Sequence, residues 1–152
     1  MTLFPLYLAI CAAPAAAGIL FKPGAWYAAL DKPPWTPPDK LFPIIWAVLY
    51  LLMSWAAARV SEQPDNDLAL GLWSLQIIIS TLWSATFFGQ QRIKAGAVIV
   101  AILWAAVLAT TVAFLTIDPL SAALMAPYLA WGSFALALNL SVLRRNPSPA
   151  SA

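Results

Sequence analysis

Residues 26–38 read Trp26-Tyr27-Ala28-Ala29-Leu30-Asp31-Lys32-Pro33-Pro34-Trp35-Thr36-Pro37-Pro38. Proline fixes its own φ and donates no backbone N–H, so Pro33-Pro34 and Pro37-Pro38 stiffen the segment outside any helix or sheet. A long uncharged apolar run lies on each side, 3–21 before it and 41–58 after it. Connections between membrane-length runs are ordinarily short and polar. This one is built to hold a shape, as a lid over something between the helices.

Outward from that segment the pattern repeats. The chain has 152 residues, 62% hydrophobic and only 9% charged, where about a quarter charged is usual for a globular chain. Five uncharged runs cover 3–21, 41–58, 68–88, 95–115 and 120–143. At about 1.5 Å rise per residue, each spans a hydrocarbon core of about 30 Å. The expectation is an all-α membrane protein: one five-transmembrane-helix bundle over residues 1–143, with the Pro/Trp-rich loop between helices 1 and 2. Residues 144–152, with Pro147 and Pro149, are expected to form a short disordered tail. The first run is kept as a span. Ala13–Gly18 offers A-x-A patterns, but no positive charge precedes the apolar core as a secretory signal requires.

Lys and Arg divide unevenly between the two sides. Lys22, Lys32, Lys40, Arg92, Lys94, Arg144 and Arg145 fall on the side of the Pro/Trp loop, and only Arg59 on the other. The positive-inside rule then places the N-terminus outside, with the loop and C-terminus inside. A net charge of +2 is too small to point to a nucleic-acid partner.

Other chemistries are excluded by what is missing. The chain has no histidine and one cysteine, Cys11, which rules out an intramolecular disulfide, a clustered thiolate metal site and any imidazole-based triad. No metal site and no catalytic residues are expected. None of the five runs contains Asp, Glu, Lys or Arg, so the intramembrane carboxylate usual in proton-coupled exporters is absent.

The helices carry stripes instead. Trp46, Tyr50 and Met53 lie on one face of the second. In the third, Gln76, Ser80, Trp83 and Phe87 form a polar-aromatic stripe that must face protein or ligand, as interhelical glue or as a ligand contact. The fifth presents Tyr128, Trp131, Ala135, Leu138 and Asn139. Ala97, Ala101, Ala105, Ala109 and Ala113 make a small-residue ridge on the fourth, suited to close helix crossing. Trp73 and Trp104 read as interfacial belt or general packing, and Trp55 as belt. An aromatic, weakly polar interior with cations near its inner mouth suits a flat hydrophobic ligand. Lys22, Lys32 and Lys40 are the cations nearest that mouth.

Four stretches carry a family likeness: WYAALDKPPWTPP at 26–38, IWAVLYLLM at 45–53, WSATFFG at 83–89 and PYLAWGSFALALN at 127–139. Through nearly its whole length the chain resembles the TspO/MBR family, the tryptophan-rich sensory proteins related to the mitochondrial translocator protein. The resemblance implies a five-helix bundle, commonly a homodimer, in a bacterial membrane. It also implies binding of porphyrins and, in many members, of sterols and benzodiazepine-type drugs. The family's ligand cavity corresponds to Tyr27 and Trp35 in the lid, Trp46 and Tyr50, Ser80, Trp83 and Phe87, and Trp131, Ala135 and Leu138. With the buried amides Gln76 and Asn139 these form the candidate ligand site. Two departures stand out: Ser80 where relatives often have Asn, and Leu140 in place of the central Tyr of the cholesterol motif, so sterol recognition is not expected from that motif.

The expected function is therefore a membrane receptor or transport protein that binds tetrapyrroles, with no required cofactor and porphyrin as ligand. Its partners would be the bilayer, the hydrophobic small molecule and a second copy of itself. Two rivals belong to other classes. One is a light- and oxygen-dependent porphyrin-degrading enzyme that uses Trp46 or Trp131; the other is a membrane scaffold.

Overall fold

The computed structural model describes residues 2–147, and every described element is helical. α1 (Phe4–Ile10) and α2 (Ala12–Leu20) form one broken apolar segment, and the short α3 (Ala25–Ala29) lies in the lid. α4 (Leu41–Val60), α5 (Asp67–Ser84), α6 (Ile93–Ile117) and α7 (Pro119–Arg145) follow, with a π-helical turn over Ala85–Gly89 at the end of α5. Four helical stretches are long and apolar enough to cross a membrane: Leu41–Val60, Asp67–Gly89, Ile93–Ile117 and Pro119–Arg145. Phe4–Leu20 is a shorter apolar helical segment beside them.

The rods close into a ring in which α4 packs on α7, α7 on α6, α6 on α5, α5 on α2, and α1 on α4. α4 and α5 are linked by Trp73, whose indole N–H donates to the Met53 carbonyl at 3.1 Å. At the end away from the lid, Arg59 pairs with Asp118 at 2.8 Å and ties α4 to the α6–α7 junction. The Arg59 guanidinium, and next the Ser121 hydroxyl, hold the Asp118 carboxyl down to about 2, so this tie stays ionised near neutral pH.

Local chemistry accounts for several differences from the sequence expectations. The first run is not one unbroken helix: α1 and α2 are separated at Cys11. Pro14 has no N–H to offer the Ile10 carbonyl, so the helix is interrupted one turn before it. The alanine ridge of α6 is only partly a contact surface. Ala97 is buried, whereas Ala101 and Ala105 are exposed in this chain, and the neighbours Ala106, Val107 and Thr110 face inward instead.

The expected disordered tail also needs correction. Arg144 and Arg145 are helical, and Asn146 is held against the lid. Its amide donates to the Asp31 and Val142 carbonyls at 2.9 and 2.8 Å and accepts the Asp31 N–H at 3.1 Å. Residues 148–152 of that tail lie outside the described residues.

Candidate ligand cavity beneath the lid

The lid is shaped by its own polar groups. Lys32 Nζ donates to the carbonyls of Tyr27, Ala28 and Leu30 at 2.7, 3.2 and 3.3 Å, which satisfies the open C-terminal end of α3. The same ammonium sits 4.7 Å from the centre of the Tyr27 ring, a cation–π contact. Burial, and then the nearby Asp39 carboxylate, push the Tyr27 phenol above its ordinary value, so Tyr27 stays neutral. On the far side the lid is pinned to α7 by the Asn146 bonds and by Arg145 facing Asp31 at 3.5 Å.

Beneath the lid lie two adjoining spaces. The first is an aromatic compartment between α3, α4, the end of α5, α6 and α7, with a free volume of only about 50 Å³. Its walls interlock. Trp83 stacks on Phe87 at 5.4 Å and 14°, Trp131 stacks on Phe134 at 5.3 Å, and Phe42 meets Trp131 edge-on at 5.6 Å. The second is a cavity of about 480 Å³ between α2, α4 and α5. That lies within the range of small-molecule sites, whereas the first holds little more than a water or two. Phe42, Trp46, Trp83 and Phe88 line both spaces and so form the partition between them.

Ten of the twelve sequence-selected residues line these spaces. Tyr27, Phe87, Trp131, Ala135, Leu138 and Asn139 line the compartment; Tyr50 and Ser80 line the cavity; Trp46 and Trp83 line both. Two residues are not brought in. Trp35 sits half-exposed on the rim, its ring 5.5 Å from Phe134. Gln76 is fully buried between helices, its amide Nε2 3.9 Å from Met53 Sδ, and it lines neither space.

Other lining residues carried weaker signals or none. Phe42 lies one turn before Trp46 and extends its stripe, and Ser84 lies one turn after Ser80 and extends that one. Trp104 lines the compartment and donates its indole N–H to Ser133 Oγ at 2.8 Å, so it is more than a belt residue. Phe88 had no sequence signal. The π turn, closed by Gln90 N–H to the Ala85 carbonyl at 2.9 Å, lets both Phe87 and Phe88 face inward where an α-helix would separate them by about 100°.

Among the described residues, buried polar atoms at these walls lack a close hydrogen-bond partner: Trp83 Nε1, Tyr128 OH, whose nearest polar neighbour is Ser80, and Asn139 Oδ1, whose amide N–H is already given to the Ala135 carbonyl at 2.9 Å. Buried polar groups are ordinarily satisfied, and leaving one open costs about 1–3 kcal/mol. A donor, a hydroxyl and an acceptor around one apolar compartment can together orient the polar atoms of a bound molecule. Among the described residues no group of three or more Cys, Asp or Glu side chains is arranged to hold a metal ion.

Comparison with known proteins gives one consistent result. Residues 3–145 match the TspO/MBR family. The chain is 47% identical to Protein CrtK of Rhodobacter capsulatus over 97% of its own length and 94% of that protein's. It is 42% identical to the tryptophan-rich sensory protein of Cereibacter sphaeroides, covering 95% and 91% of the two chains. With the human translocator protein the identity is 35%, over 80% and 75%.

Proposed function

The chain belongs to the TspO/MBR family as a multi-pass membrane protein, and we propose that it is a receptor or transport protein for a flat hydrophobic ligand of the tetrapyrrole class. The observation that carries this reading is the shared aromatic wall. A ligand-sized cavity adjoins an aromatic compartment through Trp46 and Trp83, with buried polar atoms at its walls that lack close partners among the described residues. A conjugated ring lying against this wall gains stacking on indole faces. Rotation of the partition side chains would join the two spaces for a larger ring.

In this reading Phe4–Leu20 is the fifth span, which completes a five-helix bundle. The lid lies on the cytoplasmic side of a bacterial membrane, because seven of the eight Lys and Arg residues are at that end. The protein acts as a homodimer, as the family resemblance implies. Names of relatives, a sensory protein in one case and a translocator in another, fit a chain that binds a ligand and passes on either the ligand or the signal.

Titration of the detergent-solubilised chain with metal-free protoporphyrin, read by tryptophan fluorescence, tests this directly. Saturable quenching is expected. Trp83→Leu should weaken binding by up to about tenfold, in line with the loss of about 0.5–1.5 kcal/mol of stacking. Trp55→Leu, at a half-exposed outer position, should leave affinity unchanged. Quenching that never saturates, or that Trp83 and Trp55 variants share equally, would sink the assignment.

A further inference from the structure

We propose that the outer seam between α6 and α7 binds an anionic phospholipid, its headgroup phosphate held by Lys94 and Arg144 and one acyl chain laid along the two helices. The inference needs only that α6 and α7 span the membrane, and it stands apart from the ligand reading above.

α6 and α7 have 25 and 27 residues. At about 1.5 Å per residue each is about 40 Å long, more than the hydrocarbon core of about 30 Å, so their end turns reach the headgroup layer. The start of α6 lies against the end of α7, because Ile93 and Val142 belong to one buried cluster with Leu143 packed on it. Each helix therefore brings an exposed cation to the same end of the seam, Lys94 from α6 and Arg144 from α7. Neither side chain makes a hydrogen bond or ion pair among the described residues. The carboxylates at this end are placed elsewhere: Asp31 faces Arg145, and Asp39 borders the cavity between α2 and α4. Two unopposed cations at headgroup depth favour an anion.

Toward the bilayer centre both faces turn apolar and small. Lys94 is followed at helical spacing by exposed Val98, Ala101 and Ala105, and Arg144 is preceded by exposed Leu140, Ala137 and Ser133. Trp104 closes the floor of the seam over Gly132, where an added Cβ would come within 3.5 Å of the indole. The polar groups there are already satisfied. Trp104 N–H donates to Ser133 Oγ at 2.8 Å, and the Ser133 hydroxyl donates to the Leu129 carbonyl at 3.0 Å. A hydrocarbon chain thus meets an apolar track that leads up to two cations, and an anionic phospholipid matches both parts at once. A zwitterionic lipid fits the same track, but its own cation opposes Lys94 and Arg144.

The test is native mass spectrometry of the full chain in mild detergent with equimolar dioleoylphosphatidylglycerol and dioleoylphosphatidylcholine. The first lipid retained should be the phosphatidylglycerol by about fivefold, the scale of one cation at an anionic headgroup. Added salt should shrink that preference. Lys94→Gln combined with Arg144→Gln should abolish it, Lys94→Arg should keep it, and Lys40→Gln, at the start of α4, should leave it unchanged. A diazirine on the acyl chain should label residues 98–105 or 133–140. No preference in the unaltered chain, a preference that survives the double substitution, or labelling confined to other helices would overturn the proposal. So would an equal loss in Lys40→Gln, the sign of a diffuse basic surface. Displacement of the lipid by inorganic phosphate beyond that by chloride at equal ionic strength would mark a free-anion site instead, and would overturn it too.

Discussion

Trp73→Ala is expected to destabilise the bundle by about 3–5 kcal/mol. Trp73 is completely buried at the centre of the ring of helices, and its edge meets the Tyr7 ring at 5.2 Å and 87°. Its indole N–H donates to Met53 O, the main polar link between α4 and α5. Inside a bilayer, lipid tails are as apolar as the core, so helix association depends on such packing and on interhelical hydrogen bonds rather than on burial from water. Alanine removes both at once and leaves a cavity spanning two helix contacts. Trp73→Phe keeps most of the ring but loses the bond, and should cost less, about 1 kcal/mol for the bond plus a smaller packing loss. Reversible unfolding in mixed micelles gives both values. An alanine variant within about 1 kcal/mol of the unaltered chain would contradict the packing described here.

Gly96→Val should be nearly as damaging, and for the opposite reason. A Cβ at Gly96 would lie 2.6 Å from Phe87 Cδ2 and 3.1 Å from Phe87 Cβ. The ring cannot step aside cheaply, because Phe87 is stacked on Trp83 and edge-on to Tyr27 at 6.2 Å. Overpacking of this kind costs about 1–3 kcal/mol, against a helix propensity that favours valine over glycine by a few tenths. A net loss therefore identifies the contact. The same substitution in a Phe87→Ala background should cost much less, and the difference between the two backgrounds measures the coupling. If the penalty is identical in both, α6 does not press on Phe87.

Much of this was legible in the chain itself. Apolar runs with no charge located the four long spans to within a few residues, because burial in hydrocarbon leaves no other composition possible. The stripes on α4, α5 and α7 brought Trp46, Ser80, Trp83, Trp131 and Asn139 to one region, because side chains three or four apart share a helix face.

What escaped depends on local hydrogen bonding and on long-range placement. The π turn turns Phe88 inward, and no periodicity announces it. Gln76 follows the stripe but is buried between helices and lines neither space, since a shared face says nothing of position along the bundle axis. The Asn146 clasp joins residues 115 apart in sequence and lay in a segment whose prolines suggested disorder. Trp104 reads as belt or general packing, and composition cannot show that its indole N–H meets Ser133.

In the proposed function, a tetrapyrrole would be recognised through its ring face and edge rather than through a metal. Neither space is lined by Cys or Met, the chain has no His, and Cys11 is buried against Ser54 at 3.3 Å. Strong axial ligands for haem iron are thus missing from the walls, which leaves the phenols of Tyr27, Tyr50 and Tyr128. Parallel titrations with metal-free protoporphyrin and with haem test the claim most directly. The metal-free ring should bind no more weakly than haem, and quench tryptophan fluorescence at least as strongly per bound molecule. A haem affinity tenfold or more above the metal-free value, about 1.4 kcal/mol, would show that iron is being ligated and would contradict this account of the site.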